Sequence, residues 1–334
     1  MPAPEAGPGE AVVRLSVAGI CGSDLLDWYV RRKAGTVLGH EVTGEIAALG
    51  PGVTEFSVGD RVVPHHHAPC LICEECRSGR FVHCRVWRSS RLEPGGMAEL
   101  FRVPAGNLVH DTLAIPDGVS DEAASWTEPL ATVVKAYRRG RFAPGQSALI
   151  VGLGSAGQLA VRLAVFLGAS AVVGADRVAS RIALAGSSSS GASGTIDVSH
   201  EPLAEGARRA SGGRGFDFVF VGPGKPDVIR AAADSVAPGG TLLLFTMAAP
   251  GETLEISPHD LYFREVSLVP SYSCGPDDTR EALGHIASGR IAVGDLVTHR
   301  FPIERAEEAF ARARDPEGSL KVVVTGGARS SPAV

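Results

Sequence analysis

Ala148-Leu149-Ile150-Val151 is an apolar run that ends in Gly152-Leu153-Gly154-Ser155-Ala156-Gly157, and a helical pattern from Ser155 to Leu167 follows. No other feature constrains the fold as much. A buried strand that turns through glycines into a helix needs a parallel neighbour, so the segment predicts a βαβ unit. Ala171–Ala175 reads as the returning strand, and Asp176 closes it. In such a unit Gly152 serves the tight turn, Gly154 lets the backbone approach a pyrophosphate, and Gly157 permits helix–strand contact. Ser155 and Ala156 open the helix, whose free N–H groups and dipole favour an anion. Asp176 follows Gly152 by 24 residues, close to the spacing at which a carboxylate holds both ribose hydroxyls. It would repel a 2′-phosphate, which favours NAD over NADP. Arg177 and Arg181 stand at the same edge and could accept that phosphate instead. A glycine-rich turn without a ligand is the alternative in a chain of 41 glycines.

The same alternation continues, with strands expected at Phe216–Val221, Thr241–Phe245 and Val266–Val269. The fold class is therefore α/β, with a doubly wound parallel sheet. Before Asp121 the pattern differs. Short β-type segments, Ala11–Val17, Thr43–Ala48, Arg61–Val63 and Ala98–Val103, are separated by Gly and Pro. Beyond Cys274 come helices near Asp277–Ser288 and Glu304–Ala313, then a strand, Lys321–Val324. That tail is too short to fold alone and must pack on something built earlier. Gly186–Gly194 is Ser/Gly-rich and reads as a flexible surface loop. A length of 334 residues suits two domains.

A net charge of −5 gives no reason to expect a nucleic-acid partner. No apolar run approaches a bilayer span, and the first twenty residues lack an apolar signal core, so a cytoplasmic protein without a membrane partner is expected. The six cysteines are unevenly placed, and without an export signal a disulfide framework is disfavoured. Cys70-x2-Cys73-x2-Cys76-x7-Cys84 sets four thiols in fifteen residues, enough to close a tetrahedral shell around Zn²⁺ with no open position. Such a site is structural. Arg77, Arg80, Arg85 and Arg88 around it would offset the excess thiolate charge. Reduced core cysteines, or a zinc module that binds nucleic acid, are the alternatives.

Cys21 and the pair His40-Glu41 offer a thiolate, an imidazole and a carboxylate, a possible three-ligand zinc site with an open fourth position. Each also has a plain reading: a small core cysteine, a turn histidine, a solvated acid. His65-His66-His67 cannot all face one ion from a strand, and reads as loop or pocket wall.

Taken together, these residues resemble the zinc-dependent medium-chain dehydrogenase/reductases, in particular the polyol, sorbitol and L-threonine dehydrogenase branch. The likeness runs through Gly39-His40-Glu41-x2-Gly44-x5-Gly50-x2-Val53, Gly59-Asp60-Arg61-Val62, the four-cysteine stretch, Gly95-Gly96-x-Ala98-Glu99, Glu128-Pro129-Leu130 and the glycine turn. It continues at Ser288-Gly289, Thr298-His299 and Leu320-Lys321-Val322, and so covers nearly the whole chain. It implies a GroES-like β-rich catalytic domain at 1–122, with a structural zinc lobe at about 65–95, a Rossmann NAD-binding domain at 123–274, and a return at 275–334 that completes the first domain. Nicotinamide would meet zinc in the cleft between domains. The resemblance also implies two Zn²⁺ per chain. Cys21, His40, Glu41 and Glu128 become ligands of a catalytic ion, Ser23 a proton-relaying hydroxyl, and Asp24 an acid orienting His40. Zinc would acidify an alcohol whose hydride passes to NAD, in a homodimer or homotetramer.

Two departures stand out. Leu26 occupies the place where many relatives carry a relay histidine. Relatives also carry further residues before the stretch seen here at Pro2–Glu10, so a late start or a truncation exposing a sheet edge is expected. Asp27, Trp28, Tyr29 and His66 are candidate pocket walls, and Cys274 is assigned to packing. The expected reaction is oxidation of a secondary alcohol or polyol. An L-threonine 3-dehydrogenase-like enzyme and a catalytically impaired paralogue are the alternatives.

Overall fold

The computed structural model describes residues 3–327, so Pro2 of the leading stretch lies outside the described residues. The chain divides into two compact units. One comprises the residues up to Ala131, Cys274–Gly289 and the residues from Val293; the other comprises Thr132–Ser273 and Arg290–Ala292. The first crossing falls at 131/132 instead of 122/123, inside the helix Thr127–Arg139. Sequence punctuation near Asp121 marks a turn, whereas the compact unit ends within the next helix.

The first unit is built on a mixed sheet of strands β1 (Ala11–Gly19), β2 (Glu41–Leu49), β3 (Arg61–Pro64), β4 (Leu100–Val103) and β5 (Thr112–Ala114). The second unit carries β6 (Ser147–Val151), β7 (Ala171–Asp176), β8 (Gly194–Asp197), β9 (Phe216–Val221), β10 (Val236–Leu244) and β11 (Ser267–Pro270). The chain then returns to the first sheet with β12 (Val297–Pro302) and β13 (Lys321–Thr325).

The first sheet runs β12-β13-β1-β2-β3-β5, with β4 also on β1. One edge of β1 is shared. Residues 11–14 pair with β4 and residues 17–19 with β13, while β2 covers the other edge. Alternating apolar residues of β1 and β2, such as Val13, Leu15, Val42 and Ile46, meet Phe101 and Val103 in the core. The final strand contributes Val322 and Val324 beside Ile20 and Ala309, which gives the short tail its packing partner.

The second sheet is parallel throughout, in the order β11-β10-β9-β6-β7-β8. This is the doubly wound order in which the connections reverse direction beside the first strand, and ligands bind outside the carboxyl ends of the strands at that point. Its strands are apolar on both faces, with Leu149, Val219 and Phe220 fully buried. The segment 186–194 is more tightly held than its composition suggests. Ser190 is buried against the Arg162 guanidinium, and the Ser193 hydroxyl exchanges hydrogen bonds with the Val172 backbone. Among the described residues no helix is long and apolar enough to cross a membrane.

Candidate active site

In the second unit the glycine turn joins β6 to the helix Ser155–Phe166, which Ser155 and Ala156 open after Gly154 as its cap. A side chain at Gly157 would collide with the Gly152 carbonyl, so only glycine lets the helix lie this close to the strand. Asp176 is buried, and its carboxylate accepts the N–H groups of Leu153 at 2.6 Å, Arg177 at 2.7 Å and Val178 at 3.0 Å. It therefore braces the turn as well as ending β7. Gln158 adds a second brace, donating to the Leu153 and Arg181 carbonyls. Arg181 lies beside Gly154, on the turn itself.

The first unit contains the four-cysteine lobe, where the short helices Glu74–Arg77 and Arg85–Ser89 fold the chain back on itself. The Cys73 and Cys76 sulfurs lie 3.4 Å apart, Cys70 and Cys84 3.6 Å, and Cys70 and Cys76 3.9 Å. These lie close to the edge length of a tetrahedral thiolate shell, about 3.8 Å. N–H groups of Ile72 and Cys73 hold the Cys70 thiol down to about 6, while burial and neighbouring sulfurs push Cys76 up. Four thiolates at this spacing need a cation, and the donor set fits Zn²⁺. Of the arginines expected to offset the charge, Arg80 is committed to Glu75 and Arg88 bonds the Val82 carbonyl and His83.

The second donor set gathers from loops at the ends of β1 and β2. Cys21 follows β1 and precedes the turn Gly22–Leu25, which carries Ser23 and Asp24. His40 precedes β2 and is aimed by Gly39, whose φ of +99° and close approach to the Met97 backbone exclude any side chain. One ligand atom from each of Cys21, His40 and Glu41 lies within 4.8 Å of the others. Asp24, fully buried, accepts the Cys21 N–H at 3.4 Å and places its carboxylate 3.7 Å from His40 Nδ1. Burial opposes charge on His40, yet Asp24, Cys21 and Glu128 together raise its pKa well above the ordinary value. The field here is negative, as a cation site requires, and a thiolate–imidazole–carboxylate set fits zinc with room for a further ligand.

Glu41 has a second commitment. Its carboxylate pairs with the Lys321 ammonium of β13, which also donates to the Ile20 carbonyl at 3.3 Å and lies 5.0 Å from the Trp126 ring centre. Glu128, on the helix Thr127–Arg139, is grouped with His65 and Cys274 and not with the Cys21 set. Burial raises its pKa, and His40 opposes that rise.

The three histidines diverge. His65 points to Asp111, with Nδ1 at 2.6 Å from Oδ2, and His66 packs its ring 5.1 Å from that of His40. His67 stacks on Trp87 at 4.1 Å and contacts the Ser90 carbonyl. Burial, then the nearby histidines, hold His66 well below its ordinary pKa and His67 down to about 3. Asp27 is exposed and paired with Arg314, so it is a surface residue instead of a pocket wall. Trp28 and Tyr29 pack edge to face, each under a cation, Arg32 and Lys33. Sequence reasoning missed Lys321, His65, Asp111 and Cys274 as members of one buried polar region.

Residues 7–117 match the alcohol dehydrogenase GroES-like domain and residues 156–288 the zinc-binding dehydrogenase domain. The chain is 30% identical to an L-threonine 3-dehydrogenase of Chelativorans sp. (strain BNC1), over 97% of this chain and 93% of that protein. The chain belongs to the zinc-dependent medium-chain dehydrogenase/reductases. This family member is also 29% identical to a sorbitol dehydrogenase of Bacillus subtilis (strain 168), over 97% of this chain and 92% of the relative. A zinc-binding dehydrogenase of Sinorhizobium meliloti 1021, solved with NADP, superposes with a TM-score of 0.87 at 27% identity, covering 97% of this chain and 94% of the other.

Proposed function

We propose that this dehydrogenase oxidises a secondary alcohol or polyol, passing hydride to NAD, with one structural and one catalytic zinc. The observation that carries this is the convergence of Cys21, His40 and Glu41 in a negative, partly buried setting. When bound there, zinc would acidify the alcohol while nicotinamide accepts the hydride. The chain's own residues supply the rest. Asp24 holds the Cys21 loop and polarises His40. Lys321 holds Glu41 in place. Ser23 stands on the same turn, where Leu26 replaces a relay histidine, so protons leave through its hydroxyl or water. Glu128 brings a second carboxylate to the edge of the site, and Asp176 favours NAD by repelling a 2′-phosphate. The threonine dehydrogenase relative supports a second reading, oxidation of a β-hydroxy amino acid.

The test is an NAD-reduction screen over polyols, secondary alcohols and amino alcohols with zinc-replete protein, beside Cys21→Ser. Turnover on one class, lost together with one zinc in the variant, is expected. Turnover and metal content unchanged by Cys21→Ser would overturn the assignment.

A further inference from the structure

The chain between Cys21 and His40 leaves one donor of the candidate metal set and returns to another, since their ligand atoms lie within 4.8 Å of each other. Everything between them is a loop closed at the site. Its middle is wound into short helical turns, Asp27–Val30 and Arg31–Lys33, which keep it compact. Between Asp27 and Glu41 this loop carries three cations, Arg31, Arg32 and Lys33, and no acid. Asp27 is already paired with Arg314. Arg31 and Arg32 are exposed, whereas Lys33 is half-buried. Its ammonium lies 4.3 Å from the Tyr29 ring centre, and among the described residues no carboxylate pairs with it.

His66 is a second group without a partner. Its ring packs 5.1 Å from that of His40, and its buried Nδ1 has no hydrogen-bond partner among the described residues. Burial comes first in holding the pKa of His66 and His67 down, the neighbouring histidines next, and the Lys33 ammonium adds to both. Lys33 therefore stands close enough to these rings for its field to reach them.

We propose that the substrate is an anionic polyol, a sugar acid or a polyol phosphate, whose carboxylate or phosphate is held by Lys33 while its carbinol end lies at Cys21, His40 and Glu41. The proposal rests on the alcohol dehydrogenase function proposed above. The two ends of such a site differ in sign. Asp24, Cys21 and Glu128 make the donor end negative, so an anionic group is repelled from it and drawn to the cationic stretch. A neutral polyol has no such asymmetry. Half-burial matters as well. An ammonium seated on an aromatic ring has given up part of its rotamer freedom and hydration before a ligand arrives, so pairing costs less than at a free surface lysine. Hydroxyls between the two ends have His66 within the same site, and its imidazole can donate or accept.

Initial rates of NAD reduction by the zinc-replete chain test this on matched sets: a hexitol, its aldonate and its terminal phosphate, over the hexitol stereoisomers. The anionic member of a set should have a kcat/KM about ten- to a hundredfold above the neutral one, the span expected for a charged hydrogen bond. Lys33→Gln should collapse that ratio, mainly through KM, and Lys33→Arg should keep it. Raised ionic strength should lower kcat/KM for the anionic member more than for the neutral one. Preference for the aldonate or for the phosphate names the anion, and either supports the proposal. A neutral polyol used as well as its anionic partners, or a ratio unchanged by Lys33→Gln, overturns it. The dehydrogenase function and the anion site fail separately. If no alcohol is oxidised, the first falls, and calorimetric titration of the zinc-loaded chain with the aldonate and the phosphate decides the second. Binding lost in Lys33→Gln upholds the anion site; no binding, or equal binding in both chains, overturns it.

Discussion

Lys321→Met removes the ammonium that faces Glu41 and lies over the Trp126 ring, while keeping an unbranched apolar side chain. Both side chains of the pair are almost wholly buried, at 2% and 3% exposure. Taking one partner away leaves a carboxylate buried without a countercharge, which costs about 3–5 kcal/mol. The Ile20 carbonyl loses a donor in the same step. At roughly 2–4 °C per kcal/mol for a unit of this size, the melting temperature should fall by about 6–20 °C. Lys321→Met combined with Glu41→Gln removes both charges, and the double variant should recover most of the loss. Thermal unfolding by circular dichroism, with and without zinc, measures all four proteins of the cycle. Zinc should lessen the penalty, because a freed Glu41 lies within ligand reach of Cys21 and His40. A drop below about 3 °C without zinc, or a double variant as unstable as the single, would refute the reasoning.

Three further predictions concern other parts of the chain. His67 stays neutral in the fold down to about pH 3, whereas unfolded it takes up a proton near pH 6.5. The unfolded state then binds more protons between those values, so stability falls as pH drops through that window. His67→Gln should remove a penalty of roughly 2 kcal/mol at pH 5, read as a smaller shift of urea midpoint between pH 7 and pH 5. Asp176→Ala should weaken NAD more than NADP in calorimetric titration, and destabilise the glycine turn by about 1–3 kcal/mol because three backbone N–H groups lose their acceptor. An unchanged cofactor preference would remove the case for NAD. Stripping zinc from the lobe should expose Trp87, now 1% exposed, and shift tryptophan emission to the red; Trp87→Phe should abolish that shift.

Local patterns made the second unit legible. The apolar run of β6, the glycines after it and the helical period after those all lie within twenty residues, so each part reports on the next. Strands β5, β8 and β12 escaped. β8 has Ile196 as its one fully buried residue, and β5 has three residues in all, too few for a period to emerge. At the site, residue types and neighbours in sequence marked the four-cysteine lobe and the His40-Glu41 pair. Distant partners left no such mark. His65 meets Asp111 across 46 positions and Cys274 across 209, and Glu41 meets Lys321 across 280. A histidine run read by itself shows that its members diverge, but not that they reach a carboxylate, a second imidazole and an indole.

The pairing of β1 with β13 also sets an order of events during synthesis. At roughly 5–20 residues per second, the ribosome needs about a quarter of a minute to a minute between Glu41 and Lys321. The parallel sheet of the second unit is complete before that interval ends, because β11 closes at Pro270. The nascent chain therefore carries a finished nucleotide-type unit and an unfinished first sheet at once. Through that interval one edge of β1 beyond its β4 partner is open and Glu41 has no ammonium beside it. Chaperone dependence and premature aggregation of this chain should therefore track how quickly its last strand arrives.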